Sequence, residues 1–229
     1  MSKAIAVIAT PRAVLAGLGD LPWRLLAPYE RVKAASLRSA RARDAYVAAH
    51  HLVRRVAAAL TGQRAEELVL QQHCTACGGP HGQPVIAGLE GLHVSLSHGD
   101  GIVAAIAGPS PVAIDAEEWH KLRVDELLSA RVFTDLEKTR LNALHPEERV
   151  EAAARLWVHK ECLVKLGRLT LDEFAQCELG ALDIQERLQG MQPGLRHLGF
   201  GFVEWADRQC AATAAAASAD GVRLSLHGL

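Results

Sequence analysis

Three carboxylates and one lysine in this sequence are spaced to share a site. Asp115 and Glu117 close the short apolar run Val112-Ala-Ile-Asp-Ala-Glu117, and on a strand residues two apart point to the same side. Glu161 and Lys165 lie in Arg155-Leu-Trp-Val-His-Lys-Glu-Cys-Leu-Val-Lys-Leu-Gly167. There Trp157, Glu161 and Lys165 fall at i, i+4 and i+8 and share one helix face. Three acids of this kind offer oxygen ligands to a hard cation such as Mg²⁺, and a lysine beside them suits phosphate chemistry. Taken singly, each feature is ordinary. A Glu–Lys pair one turn apart is usually a surface pair, and two acids at a strand end can be a solvated edge.

The elements that must position these residues can be read from periodicity. Leu92-His-Val-Ser-Leu-Ser-His98 alternates apolar and polar residues, as a strand does, and Ile102–Ala107 reads as a second strand. Gly99-Asp-Gly101 between them is a hairpin signal. Pro109-Ser-Pro111 then breaks the chain before the third strand, Val112–Asp115. Beyond Trp119 the pattern turns helical. Thr134-Asp-Leu-Glu137 is a capping box, and His145-Pro146 opens a helix predicted to run to Leu166 and to be closed by Gly167. Later come Leu169–Phe174 and the predicted strands Phe200–Trp205 and Gln209–Ala217, although the alanines of the last also suit a helix. The tail ending at Leu229 carries no clear signal.

Before the hairpin, Ala4–Ala9 reads as a strand, and the rest of residues 1–30 as loops. Residues 31–60 read as one or two helices, with Leu52, Val56 and Leu60 as an apolar stripe and Gly62 as the stop. Seven basic residues lie between Arg31 and Arg55 against one acid, Asp44. Such a stretch suits an anionic partner, or is simply a solvated face. Residues 64–91 are rich in Gly and Pro and read as a loop. Cys74 and Cys77 form a CxxC, but there is no second pair to complete a zinc ribbon.

The 229 residues allow one large domain or two small ones, and 49% apolar content makes the chain globular. Residues 1–110 carry 11 basic and 7 acidic groups and residues 111–229 carry 14 and 19. This asymmetry, with proline at the join, predicts two units, 1–110 and 111–229, meeting across a site. A pI near 6.8 and 4% aromatic residues speak against a nucleic-acid module. No apolar segment is long enough to span a membrane. Five cysteines without framework spacing predict a reducing cytoplasm.

Ser95-Leu-Ser-His98, then Val112–Glu117, then Trp157-Val-His-Lys-Glu-Cys-Leu-Val-Lys165 resemble, in order and spacing, the Sfp-type 4′-phosphopantetheinyl transferases. Cys77-Gly-Gly-Pro-His-Gly-Gln-Pro84 resembles the Gly-Lys-Pro loop that precedes those motifs in the family. The resemblance covers roughly residues 74–177, and the basic helix weakly. It implies an α+β fold of two similar halves in one chain, a pseudo-dimeric arrangement with the site in the cleft between them. It implies transfer of the phosphopantetheine arm of coenzyme A to a serine of an apo acyl, peptidyl or aryl carrier protein, with release of 3′,5′-ADP, by a monomer. On this resemblance Asp115, Glu117 and Glu161 hold Mg²⁺. Glu161 takes the serine proton or orients a water that does, and Lys165 meets phosphate and aids the leaving group. Ser97 and His98 contact the nucleotide, together with His81, Gln83 and Arg43, or Arg38, on the phosphate side. Three departures stand out: Gln83 where the family has lysine, Ala113 where it has glycine, and Val158 where a small polar residue is frequent. Two other readings of the same acids are a Mg²⁺-dependent nucleotide pyrophosphate hydrolase and a relative that binds coenzyme A or a carrier without catalysis.

Overall fold

A computed structural model describes residues 3–16, 18, 22–74, 77–80, 82–124, 132–180, 182–184 and 190–226. It is an α+β molecule. The first sheet has the order β10-β1-β5-β4, from β1 (Ala4–Ala9), β4 (His93–His98), β5 (Val103–Gly108) and β10 (Val222–Leu226). β10 lies parallel to β1, and the other neighbours are antiparallel. The second sheet, entirely antiparallel, has the order β6-β9-β8-β7: β6 (Val112–Glu118), β7 (Gly190–His197), β8 (Phe200–Asp207) and β9 (Ala212–Ser218).

Each sheet carries a long helix on its outer face. α3 (Ala40–Thr61) packs Ala45, Leu52, Val53 and Val56 against Val7, Val94, Val103 and Ala105 of the first sheet. Ser39 caps its start, accepting from Ala42 N at 3.4 Å, and Gly62 ends it at φ 74°, where a side chain would be strained. α5 (Pro146–Lys165) packs Ala152, Leu156, Cys162 and Leu163 on Ala113, Ala215, Ala217 and Phe202 of the second sheet. The inner faces of the two sheets close over a third cluster, which includes Ala6, Ile8, Ile106, Ile114, Ala214 and Trp205. Burying such faces is the main stabilising term of a fold this size.

Several elements depart from what the sequence suggests. Pro11–Ala16 is a helix, α1, rather than a loop: Thr10 accepts from Ala13 N at 3.2 Å and proline occupies the first turn. The one or two helices expected over 31–60 are two, and the first, α2 (Pro28–Ser36), begins inside the stretch read as loops. The Gly/Pro loop contains a small ribbon, β2 (Leu70–Gln72) with β3 (Pro84–Ile86). Residues 212–217 form a strand despite their alanines, because β9 is buried on both faces and small side chains let α5 and the other sheet approach. Thr134 and Glu137 make the expected capping box at the start of α4 (Asp135–Asn142). Among the described residues no helix is long and apolar enough to cross a membrane.

Candidate functional site

The two sheets meet along β4 and β6. Ser95 Oγ accepts from Ile114 N at 3.3 Å and Ser97 Oγ from Ala116 N at 3.3 Å. The same offset of 19 residues in both bonds means that the strands run in the same direction. The alternation of β6 sends Ile114 and Ala116 inward, and Asp115 and Glu117 outward beneath α5.

At this seam Lys165, at the end of α5, extends its ammonium to Asp115 Oδ1 at 2.7 Å, Ile114 O at 2.8 Å and Leu96 O at 3.3 Å. It thus ties the helix to both sheets, so the Glu161–Lys165 spacing does not amount to an ordinary surface pair. Ser97 donates to Asp115 Oδ1 at 2.9 Å. With Oδ1 held by Lys165 and Ser97, Asp115 Oδ2 is buried with no hydrogen-bond partner among the described residues. An orphaned carboxylate oxygen in a buried site needs explanation.

The neighbouring acids are short of positive charge. Burial, then the Asp115 carboxylate, pushes Glu117 up to about 7; Glu161 adds to this, while Lys121 and Lys165 pull against it. Burial and Asp115 likewise raise Glu161 against the pull of Lys165. Burial works against the charge of Lys165, but Asp115 and the other acidic neighbours hold its pKa above the usual value. Crowded acids and an orphaned oxygen are what a carboxylate site for a hard cation would show in its absence. Asp115, Glu117 and Glu161 therefore suit Mg²⁺ by donor chemistry. Among the described residues, no three such side chains are already gathered closely enough to enclose an ion.

Of the residues that the resemblance assigns to the nucleotide, Gln83 and His98 lie near the same seam. Gln83 and Lys165 line one cavity of about 450 Å³ with Ser95, Leu96 and Val164. His98, exposed at the end of β4, stands edge-on to Tyr46 of α3 with ring centroids 5.7 Å apart. The mass of protein around it, then His50, Lys165 and Lys121, lower its pKa to about 4, with Asp100 opposing, so its ring is neutral at pH 7. Arg43 is half-buried one turn before Tyr46, on the same face of α3. Arg38 is exposed just ahead of that helix, and His81 lies outside the described residues. Trp157 is a wall residue, packing edge-on against Phe174 at 5.6 Å.

Sequence reading missed three charged anchors. Arg54, counted with the basic stretch, is buried and pairs Nη2 with Glu30 Oε2 at 2.5 Å, while His50 Nδ1 lies 2.5 Å from Glu30 Oε1. Lys160, beside Glu161, is fully buried and spends its protons on Glu137 Oε2 at 2.6 Å, Phe174 O at 2.8 Å and Val132 O at 3.0 Å. Arg155 makes a two-point contact with Glu204, at 3.0 and 3.1 Å, that fixes α5 on β8. The i−1 and i−6 positions of Lys160 and Arg155 relative to Glu161 give no such signal, because their partners are distant in sequence.

Residues 111–213 match the sequence model of the 4′-phosphopantetheinyl transferase superfamily. That segment holds Asp115, Glu117, Glu161 and Lys165 but not Ser97, His98, Gln83 or Arg43. A 4′-phosphopantetheinyl transferase of Bacillus subtilis is 28% identical over 99 residues, 42% of this chain and 43% of the relative. The 4′-phosphopantetheinyl transferase AcpT of Escherichia coli O157:H7 is 32% identical over 88 residues, 38% of this chain and 45% of the relative. The chain thus spans less than half the length of these relatives.

Proposed function

We propose that this chain is a 4′-phosphopantetheinyl transferase of the Sfp type, acting on coenzyme A and an apo carrier protein. The observation that carries the reading is the seam itself. Asp115, Glu117, Glu161 and Lys165 lie along it, with one orphaned carboxylate oxygen and two acids whose charge is disfavoured. The superfamily match falls on the segment that supplies all four residues. The two helix-on-sheet units are read as the two halves of the family's pseudo-dimeric arrangement, and the odd cysteine count favours a reducing cytoplasm.

Asp115, Glu117 and Glu161 would hold Mg²⁺, which supplies charge neutralisation for the pyrophosphate of coenzyme A. Asp115 Oδ2, without a protein partner among the described residues, would be the oxygen offered to the ion, while Oδ1 is held by Lys165 and Ser97. The ammonium of Lys165 then faces the negative charge that builds on the departing 3′,5′-ADP. Glu161, whose pKa burial and then Asp115 raise, takes the proton of the carrier serine or orients a water that takes it. The serine oxygen bonds to the phosphorus that carries pantetheine, and the bond from that phosphorus to 3′,5′-ADP breaks. His98 offers an N–H to the nucleotide phosphates. Ser97 holds Asp115 in register, while Gln83 lines the cavity on the nucleotide side without the charge that a lysine would bring. His81, Arg43 or Arg38 would supply that charge.

The experiment is to follow 3′,5′-ADP release from coenzyme A and Mg²⁺ with and without an apo carrier. Release that needs the carrier supports transfer. Equal cleavage of the pyrophosphate without it would make the chain a hydrolase, and coenzyme A binding with no release would make it a non-catalytic relative.

A further inference from the structure

A lysine that the mechanism above does not use stands at the end of the seam. Lys121 closes the short 3₁₀ turn Trp119–Lys121 that follows β6, and Trp119 N donates to Ala211 O at 2.7 Å, seating that turn against the start of β9. Its Nζ lies 3.0 Å from Glu118 Oε2 and 3.2 Å from Asp100 Oδ2. Glu118 is the last residue of β6. Asp100 is the middle residue of the Gly-Asp-Gly turn that joins β4 to β5.

That turn is shaped around Glu118. A Cβ at Gly99 would stand 2.6 Å from Glu118 Oε2, and one at Gly101 would stand 2.7 Å from Oε1. Gly99 N donates to Ile102 O at 2.7 Å, closing the turn. The two glycines therefore serve close approach of backbone to carboxylate. A lone Glu–Lys pair three residues apart on a surface would count for little. What distinguishes this one is a second carboxylate from the other sheet and a turn whose two glycines leave room for the Glu118 carboxylate.

His98 precedes this turn by one residue, and Glu117 precedes Glu118 by one. The bridge of carboxylate, ammonium and carboxylate thus sets the end of β4 against the end of β6. It thereby sets the nucleotide-facing histidine against the proposed metal-holding acid.

We propose that Lys121 is a positioning residue for the transfer, holding His98 and Glu117 in mutual register through Asp100 and Glu118. The proposal rests on the transferase reading. Lys121→Met keeps the apolar stem and removes the charge, and Lys121→Arg keeps a cation that can reach two carboxylates. Amide exchange of the Gly99–Ile102 turn is measured in the ligand-free full chain, and transfer kinetics with coenzyme A and an apo carrier. Lys121→Met is expected to raise exchange at the Gly99 amide about tenfold and the KM for coenzyme A about tenfold, with a smaller change in kcat. Lys121→Arg should restore most of both. Asp100→Asn should give the same rise in KM, and the double variant should add little to either single one. Unchanged exchange, or a KM within about twofold of wild type in Lys121→Met, overturns the proposal. So does a rise in KM that Asp100→Asn does not share, since Lys121 would then touch the ligand itself. If the wild-type chain transfers nothing, the transferase reading has failed and the proposal falls with it.

Discussion

Glu30 and Glu117 are both glutamates enclosed by protein, one beneath α3 and one at the seam beneath α5, and their surroundings drive them in opposite directions. Burial works against the charge of Glu30, but hydrogen bonds from His50 and Arg54 overcome it and hold the carboxyl at about 2. Its oxygens also cap the backbone, accepting from Ala27 N at 2.6 Å. Arg54 in turn donates to Leu68 O at 3.1 Å and His50 O at 2.6 Å. That cluster is saturated. Glu117 is pushed up to about 7 by burial and then by its neighbours Asp115 and Glu161, with Lys121 and Lys165 opposing. One cluster has spent its hydrogen-bonding capacity on the fold. The other holds acids in excess of their cations and one oxygen with no partner, which is the state of a site built to receive something. The contrast also divides the basic stretch: Arg54 belongs to the architecture, while Arg31, Lys33, Arg38 and Arg41 are exposed.

The largest effect expected from this contrast is on stability. Glu30→Gln leaves the Arg54 guanidinium buried without its counter-charge, which costs about 3–5 kcal/mol and lowers Tm by roughly ten degrees. Transfer measured well below Tm should stay within a few-fold of wild type. A variant that melts normally but loses activity would place the Glu30 cluster in the binding site and break the comparison. The acid limb of unfolding provides a second check. A carboxyl lowered in the folded state contributes stability above its unfolded value near 4.5, and loses it as pH falls toward about 2. The Glu30→Gln variant should lack that part of the acid transition.

The reverse pattern is expected at the seam. Glu161→Gln keeps shape and helix propensity and relieves repulsion among acids, so Tm should hold or rise. The transfer rate should fall at least about a hundredfold. Lys165→Ala should lose as much rate and also melt lower, because Asp115 is left without the cation that now holds it. Near-normal rates in both variants would remove the site from the seam.

How far these assignments could be read from residues alone follows from where each signal lies. The acids, the alternation of β4, the capping box at Thr134 and the helix from Pro146 all rest on spacings of a few residues, and each stands where the sequence places it. Glu30 with Arg54, Lys160 with Glu137 and Lys121 with Asp100 depend on partners brought together only by the fold. β7 was hidden by Pro193 and Gly194, tolerated at a sheet edge where the register with β8 shifts between Pro193 and Arg196. β10 was hidden because its partner is β1, at the opposite end of the chain. The division at residue 110 follows charge, yet residues 222–226 complete the first sheet.

A smaller effect sharpens the contrast without any catalysis. A carboxyl raised in the folded state favours folding below its unfolded value near 4.5, and that contribution is lost as pH rises through about 7. Stability should therefore fall on this account between those values. A cation that satisfies the acids should return it, so millimolar Mg²⁺ should raise Tm by a few degrees at pH 8 and scarcely at pH 5. Glu117→Gln should remove most of that pH-dependent gain. A thermal shift that is equal at both pH values, or unchanged in the variant, would mean that Mg²⁺ binds elsewhere.

The most direct measurement is the intact mass of an apo carrier protein after incubation with coenzyme A and the full chain, with Mg²⁺ and with chelator. A single phosphopantetheine added to the carrier serine is expected with Mg²⁺ and the wild-type chain. It should be lost with chelator, and slowed at least about a hundredfold by Glu161→Gln. A carrier that gains the same mass from Glu161→Gln at the wild-type rate, or gains none from the wild-type chain across acyl, peptidyl and aryl carriers, would contradict the assignment of phosphopantetheinyl transfer to this seam.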